Sequence, residues 1–410
     1  MGRLKKTFVG VIAAVISVGF GAPSAFAETY YCDNDRAYDQ YPNCSNSYSG
    51  TWTYRSGQSG DWNGDDRLGA YGNGYYDWKF YNIPGDGARL YAWLNNIDFT
   101  NQSAEYSVDT DVIGYINQNT APGGWNSPGS HYISGNPFFQ VDNYDWSGNS
   151  NTRTGADIIR IETYYYNAAN STETRQPVKA KDSDIAEIQN KMLNAVDHYK
   201  DIQGSFEMQF SNINDKKEVE FTLSEENPGS YVKVTKKGGN EVVRKSNGKS
   251  ILKLNPQQKA YSKTSVSPSS PIENPRHYKN EKGQNVFVHR QDPAWARTAN
   301  EVTLPQNYAF WLTANESEVV GYDTLLNRKV AVIKGKHDSY LQKKLGADTF
   351  KMWVDRQTGV LLKLEGTDSK GNVAYSIDVQ DIQFNQGVNE SQFTVDTPKG
   401  WEKVEKPSNR

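Results

Sequence analysis

Apolar and polar residues alternate in this chain over runs of five or six positions, and Gly, Asn, Asp or Pro interrupts each run. Tyr75-Tyr76-Asp77-Trp78-Lys79-Phe80, Ala88-Arg89-Leu90-Tyr91-Ala92-Trp93, Ala104-Glu105-Tyr106-Ser107-Val108 and Ile158-Ile159-Arg160-Ile161-Glu162 show the pattern in the first half. A period of two is that of a half-buried strand, and turn signals at roughly ten-residue spacing leave no room for helices. The first half is therefore expected to be an all-β sandwich, jelly-roll-like. One later stretch breaks the pattern: Ile185, Ile188, Met192, Val196 and Tyr199, with Leu193 beside them, form one apolar stripe. That spacing predicts a helix of about five turns, with Asp182-Ser183 as its N-cap and Gly204 at its end or in the turn beyond. Strands then resume, among them Ser205–Phe210, Glu218–Leu223, Tyr231–Thr235, Lys249–Leu254, Val330–Lys334, Phe350–Val354, Leu361–Glu365 and Val373–Val379. The Pro-rich Ser265–Pro275 reads as a long loop. One helix against a large curved sheet predicts an α+β domain, an open antiparallel half-barrel closed by a helix.

Charge divides the chain at the same place. Residues 28–175 carry 18 acidic against 8 basic side chains, whereas residues 176–410 carry 30 against 34. The expected organisation is a disulfide-stapled segment (28–47), the sandwich (48–167), a linker (168–181), the half-barrel (182–403) and a polar tail (404–410). Net charge is only −3 over 410 residues, so no basic field points to nucleic acid. Hydrophobic residues are 36%, which excludes a multi-span membrane protein. Residues 1–27 read as a secretion signal: Arg3, Lys5 and Lys6, an apolar run from Phe8 to Phe20, then Ala25-Phe26-Ala27. A secreted, monomeric protein of the cell envelope or exterior is expected. In an oxidising compartment Cys32 and Cys44, the only cysteines, favour a disulfide, worth about 3 kcal/mol by loop entropy.

Two resemblances add to this reading. Gly50-Thr51-Trp52, Gly69-Ala70-Tyr71-Gly72, Trp78-Lys79-Phe80, Tyr91-Ala92-Trp93, Gln118-Asn119, Gly123-Gly124-Trp125 and Ala156–Glu162 follow one another as in the golvesin-type domain. That resemblance covers about residues 48–165 and implies an accessory β-sandwich that binds glycan or a cell surface. Val320-Gly321-Tyr322, Asn327-Arg328-Lys329-Val330, Lys351–Asp355, Thr358–Lys363, Gly371 and Gln392-Phe393 resemble the lipoprotein-carrier fold of periplasmic lipoprotein chaperones and sigma-factor regulators. It covers about residues 183–402 and implies a concave apolar cavity for the acyl chain of a lipid or lipoprotein. Asn327 departs from the Gly usual in that family before Arg.

Local chemistry is sparse. No G-x-S-x-G, H-E-x-x-H or Walker motif is present, and His131, His198, His277, His289 and His337 share no metal-like spacing, so they read as surface or locally bonded residues. Asp65-Asp66 and Asp109/Asp111 are available as carboxylate pairs but read as turn residues. Asp61, Asn63 and Asp65 place oxygen ligands as a calcium loop does. Asp66 and Gly72 then stand where an EF-hand needs Gly and Glu, so a plain acidic turn is favoured over a looser, structural Ca²⁺ site. Trp62, Trp125 and Trp146 lie in Gly/Asn/Asp-rich segments, where aromatic faces suit sugar rings; Trp62 and Trp125 are the preferred ones. Phe206, Met208, Phe221, Ile251, Leu254, Trp353, Leu362 and Ile377 are expected to face inward, as core on alternation alone or as an apolar groove on the resemblance. Lys233, Lys236, Lys237, Arg244, Lys245 and Lys249 form a basic cluster, a solvated face or a contact for anionic lipid or wall polymer. These readings converge on a non-catalytic binding protein with a polysaccharide or surface polymer on the sandwich and a lipid or lipoprotein on the half-barrel. A polysaccharide hydrolase and a self-assembling matrix or adhesion protein are the alternatives.

Overall fold

The computed structural model describes residues 28–35, 41–165, 175–178, 180, 182–268, 270, 272–314 and 316–404. The expected signal, most of the linker and the tail beyond Val404 lie outside them. Strands dominate, and the sheets are open. In the first half, a five-stranded sheet (Cys44–Ser49, Tyr75–Phe80, Phe138–Asp142, Ala104–Val108, Asp111–Ile116) faces a seven-stranded one. A three-stranded sheet of Arg153–Ala156, Asp65–Ala70 and Trp52–Ser56 completes the layers. Alternation dictates the packing: Tyr76, Trp78 and Phe80 turn inward from one sheet and meet Leu90, Ile159 and Ile161 of the other. Cys32 and Cys44 form the expected disulfide, with Cα atoms 5.8 Å apart, inside that same core.

Strands from both halves build the seven-stranded sheet. Asn285–Val288 pairs in parallel with Gly124–Tyr132, aligning Val286 with Trp125 and Val288 with Ser127. His277–Lys279 and Gln176–Pro177 extend the same sheet outward. The chain after Ser265 thus leaves the half-barrel, enters the sandwich as a hairpin and returns.

The second half is a twelve-stranded sheet running from Glu316–Leu325 at one edge to Glu402–Lys403 at the other, with Asp201–Phe210 and Val373–Phe384 near its centre. Among the described residues four helices accompany it, where sequence periodicity pointed to one: α1 (Ser183–Leu193), α2 (Asn300–Thr303), α3 (Gln306–Ala314) and α4 (Ser339–Leu345). Helix α1 begins as expected, its Asp182 side chain accepting from the Asp184 N–H. It is shorter than five turns, because Asn194 leaves helical geometry and Ala195–Asp197 continues as one 3₁₀ turn. Gly204 lies inside a strand instead of at the helix end. A Cβ there would stand 2.2 Å from the Asp381 carbonyl, so only glycine admits the neighbouring backbone beside the bulge at Ser205/Phe206.

Helix α3 has no apolar stripe because it is buried on all sides. Tyr308, Ala309, Phe310, Trp311 and Leu312 are all nearly inaccessible, and they fill the concave side of the sheet. Trp311 packs on His337, Phe350 and Tyr375, and its Nε1–H donates to the Thr120 carbonyl of the sandwich at 3.0 Å. Phe206, Met208, Phe221, Leu362 and Ile377 belong to this filled core. Trp353 is partly buried and packs against the edge of this core, with the ammonium groups of Lys351 and Lys363 4.6 and 5.2 Å from its ring centroid.

Candidate functional site

The two halves meet along a polar seam, and buried ion pairs hold it. Glu105 of the sandwich takes Lys253 Nζ at 2.8 Å and also contacts Arg297, all three being buried. Lys217 Nζ donates to Gln102 Oε1 at 2.7 Å, and Asn307 Nδ2 donates to the Asn117 carbonyl and to Thr120 Oγ1. Lys344 of α4 donates to the Asn96 carbonyl, and burial pushes its ammonium down to about 7.

At one end the seam opens into a cleft of about 110 Å³. A single water needs roughly 15 Å³ on the same measure, so the cleft admits a group the size of a sugar ring. One wall comes from the sandwich: Asp142 closes the strand Phe138–Asp142, and the following loop presents Tyr144 and Trp146. The loop is fixed by Asp145, whose carboxylate accepts from the Ser147 N–H, the Gln102 N–H and Thr152 Oγ1. The facing wall comes from Ser250–Asn255 and Ala260–Ser265, with Asn255, Tyr261 and Ser262. Tyr144 and Trp146 lie 4.4 Å apart between ring centroids, and Lys253 Nζ sits 3.3 Å from the Trp146 ring. Three polar atoms of this lining, Trp146 Nε1, Asp142 Oδ1 and Ser262 Oγ, are buried without a hydrogen-bond partner among the described residues. Such atoms cost free energy unless something satisfies them. Aromatic faces beside a carboxylate, an amide and a hydroxyl suit a polyhydroxylated ligand.

The other expected sugar contacts lie elsewhere. Trp125 is fully buried, its Nε1–H donating to Gln284 Oε1 at 3.1 Å, because the hairpin from residues 277–288 covers its strand. Trp62 is half-buried and packs at 5.3–6.1 Å against Tyr31, Trp93 and Trp125, with Lys282 Nζ 5.5 Å from its ring. Sequence reasoning missed Tyr144, Tyr261 and, apart from Leu254, the facing wall, since nothing local ties residues 142–146 to residues 250–262.

The acidic loop is divided. Asp61 accepts from Asn96 Nδ2 at 2.9 Å, and burial with nearby Asp66 pushes its carboxyl up to about 7. Asn63 donates to Asp33 Oδ2 at 3.0 Å. Asp65 lies instead with Asp33 and Asp35, and burial, then those two charges, raise it to about 6. Asp66 is held by Arg55 and Asn96. Asp109 accepts from the Phe138 N–H, and Asp111 accepts from Ser265 Oγ. Four histidines are locally bonded, to Ser267, Thr313, Asn126 and Tyr375. Burial lowers His277 to about 4, and His289 and His337 to about 3. The basic cluster is not one face: Arg244 is buried and donates to Thr298 Oγ1, while Lys233 pairs with Glu220 and Glu241.

No protein-family model matches the chain, and no curated protein matches it. Solved structures with partial likeness include an uncharacterized conserved protein from Thermus thermophilus (13% identity, 53% of this chain, 96% of that chain, TM-score 0.30). The MucA/MucB complex of Pseudomonas aeruginosa is matched at 14% identity over 52% of this chain and 61% of that one, TM-score 0.30. Mycobacterium tuberculosis lipoprotein LppX is matched at 11% over 50% and 96%, TM-score 0.28. Among the described residues no helix is long and apolar enough to cross a membrane.

Proposed function

We propose that this is a secreted, non-catalytic binding protein of the cell envelope whose seam cleft takes the sugar units of a polysaccharide or surface polymer. The observation that carries this reading is the cleft itself, with Tyr144, Trp146 and Tyr261 set beside Asp142, Asn255 and Ser262. Tyr144, Trp146 and Tyr261 offer ring surface to a sugar, and Asp142, Asn255 and Gln258 offer polar groups to its hydroxyls. Titrating the full chain with solubilised cell-wall and capsular polysaccharide, followed by tryptophan fluorescence and calorimetry, tests it. Trp146→Ala and Tyr261→Ala should each weaken binding about tenfold or more, as loss of a buried contact of 1.4 kcal/mol does. Affinity unchanged in both variants would remove the cleft from the function.

The half-barrel carries a second reading, an apolar or acyl-bearing ligand, supported by an open sheet whose concave face is apolar. Since α3 occupies that face, such a ligand requires α3 to swing away. Native mass spectrometry of the full chain with organic extraction distinguishes a co-purified lipid from a bare protein.

A further inference from the structure

We propose that Asp33, Asp35 and Asp65, completed by the Asn34 side chain, form a binding site for a divalent cation of the Ca²⁺ type. One carboxylate oxygen from each aspartate lies within 4.8 Å of the other two, close enough to share a single ion. Asp33 is 1% and Asp65 8% exposed, so the cluster is drawn largely out of water. The independent sign of a ligand is Asn34. Its side chain is fully buried, close enough to the Asp65 carboxylate to favour its charged form, yet among the described residues neither its Oδ1 nor its Nδ2 meets full hydrogen-bond geometry with a partner. Among the described residues Asp65 Oδ1 and Asp35 Oδ1 are likewise buried and without one.

A buried amide left open next to three carboxylates is costly for the protein alone and ordinary for a metal shell. The donors are all oxygen, with no imidazole or thiolate, which selects a hard cation over zinc or copper. Arg67, two residues along from Asp65, stacks on Tyr48 and Tyr54, its guanidinium carbon 5.4 and 5.0 Å from their centroids. Tyr54 places its hydroxyl 3.4 Å from Asp65 Oδ2. The site differs from the loop Asp61–Asp65 that the sequence offered: Asp65 is common to both, while the remaining ligands come from the segment just after Cys32. A bound ion would clamp the disulfide loop onto the three-stranded sheet.

The test uses the full chain, stripped with EDTA and titrated with CaCl₂ by calorimetry, and with Tb³⁺ read as emission sensitised by tyrosine. One equivalent of Ca²⁺ is expected to bind, to displace Tb³⁺ and to raise the melting temperature. Asp35→Asn and Asn34→Ala should each weaken the affinity at least about tenfold, since charge count and ligand number set it. Asp35 is half-exposed, so its variant should fold, which circular dichroism verifies. Asp98→Asn, an exposed partner of Arg55, should bind as the parent does. Absence of heat and of sensitised emission in the parent overturns the proposal, and so does binding that survives Asp35→Asn.

Discussion

At the scale of single residues, the seam rests on charges placed where water cannot reach them. Lys344 is the clearest case, 3% exposed, donating to the Asn96 carbonyl and to Tyr340 Oη at 2.6 Å. Burial holds its folded-state value near 7, with Asp98 opposing, whereas an unfolded lysine titrates near 10.4. Between those values the unfolded chain binds the extra proton, so this group's contribution to stability rises with pH from about 7 to about 10. Urea unfolding of the parent and of Lys344→Met should therefore diverge in the parent's favour over that window, by up to about 1.4 kcal/mol per pH unit. A pH-independent difference would mean that the lysine stays charged in the folded protein. Side chains of this sort were not legible in the sequence. Glu105 reads there as the polar member of an alternating strand, and its partners stand 148 and 192 positions away.

At the scale of elements, whatever repeats at short range could be read and whatever depends on distant backbone could not. The run Tyr75–Phe80 is a strand with the expected bounds, and Phe350–Val354 and Leu361–Glu365 are strands extended by one or two residues. The stripe Ile185, Ile188, Met192 gave α1 and its cap, because one face of that helix is wet. Helix α3 has no wet face, so Tyr308 to Leu312 carry no period to detect. The strand Asn285–Val288 is too short to announce itself, yet it hides Trp125. Gly204 shows the same limit: only the approach of Asp381, 177 residues later, explains it. Gly204→Val should cost about 2 kcal/mol or more, measured as a lower urea midpoint, because the strand must separate from its neighbour. A neutral substitution would show that the close approach relaxes freely.

At the scale of the whole molecule, the charge and aromatic asymmetry marked two compositions without marking two separable bodies. The sandwich borrows Asn285–Val288 and His277–Lys279 from the other half, and α3 is anchored to the sandwich through Trp311 and Asn307. Unfolding either half strips the other of strands or of a core wall. Scanning calorimetry of the full chain should thus show one transition with equal calorimetric and van't Hoff enthalpies. Two resolved transitions would mean that the shared sheet does not couple the halves. The candidate cleft follows from the same arrangement, since its walls come from residues 142–146 and 250–262 and exist only when the halves are joined.

The parallel pairing of Val286–Val288 with Trp125–Ser127 also sets a schedule for the nascent chain. Once the first 165 residues have emerged, the sheet they can contribute has a bare edge at Gly124–Tyr132, and roughly 120 more residues must follow before that edge is covered. Until then the aromatic half cannot lock, so the earliest part of the protein to be synthesised is among the last to become fully native.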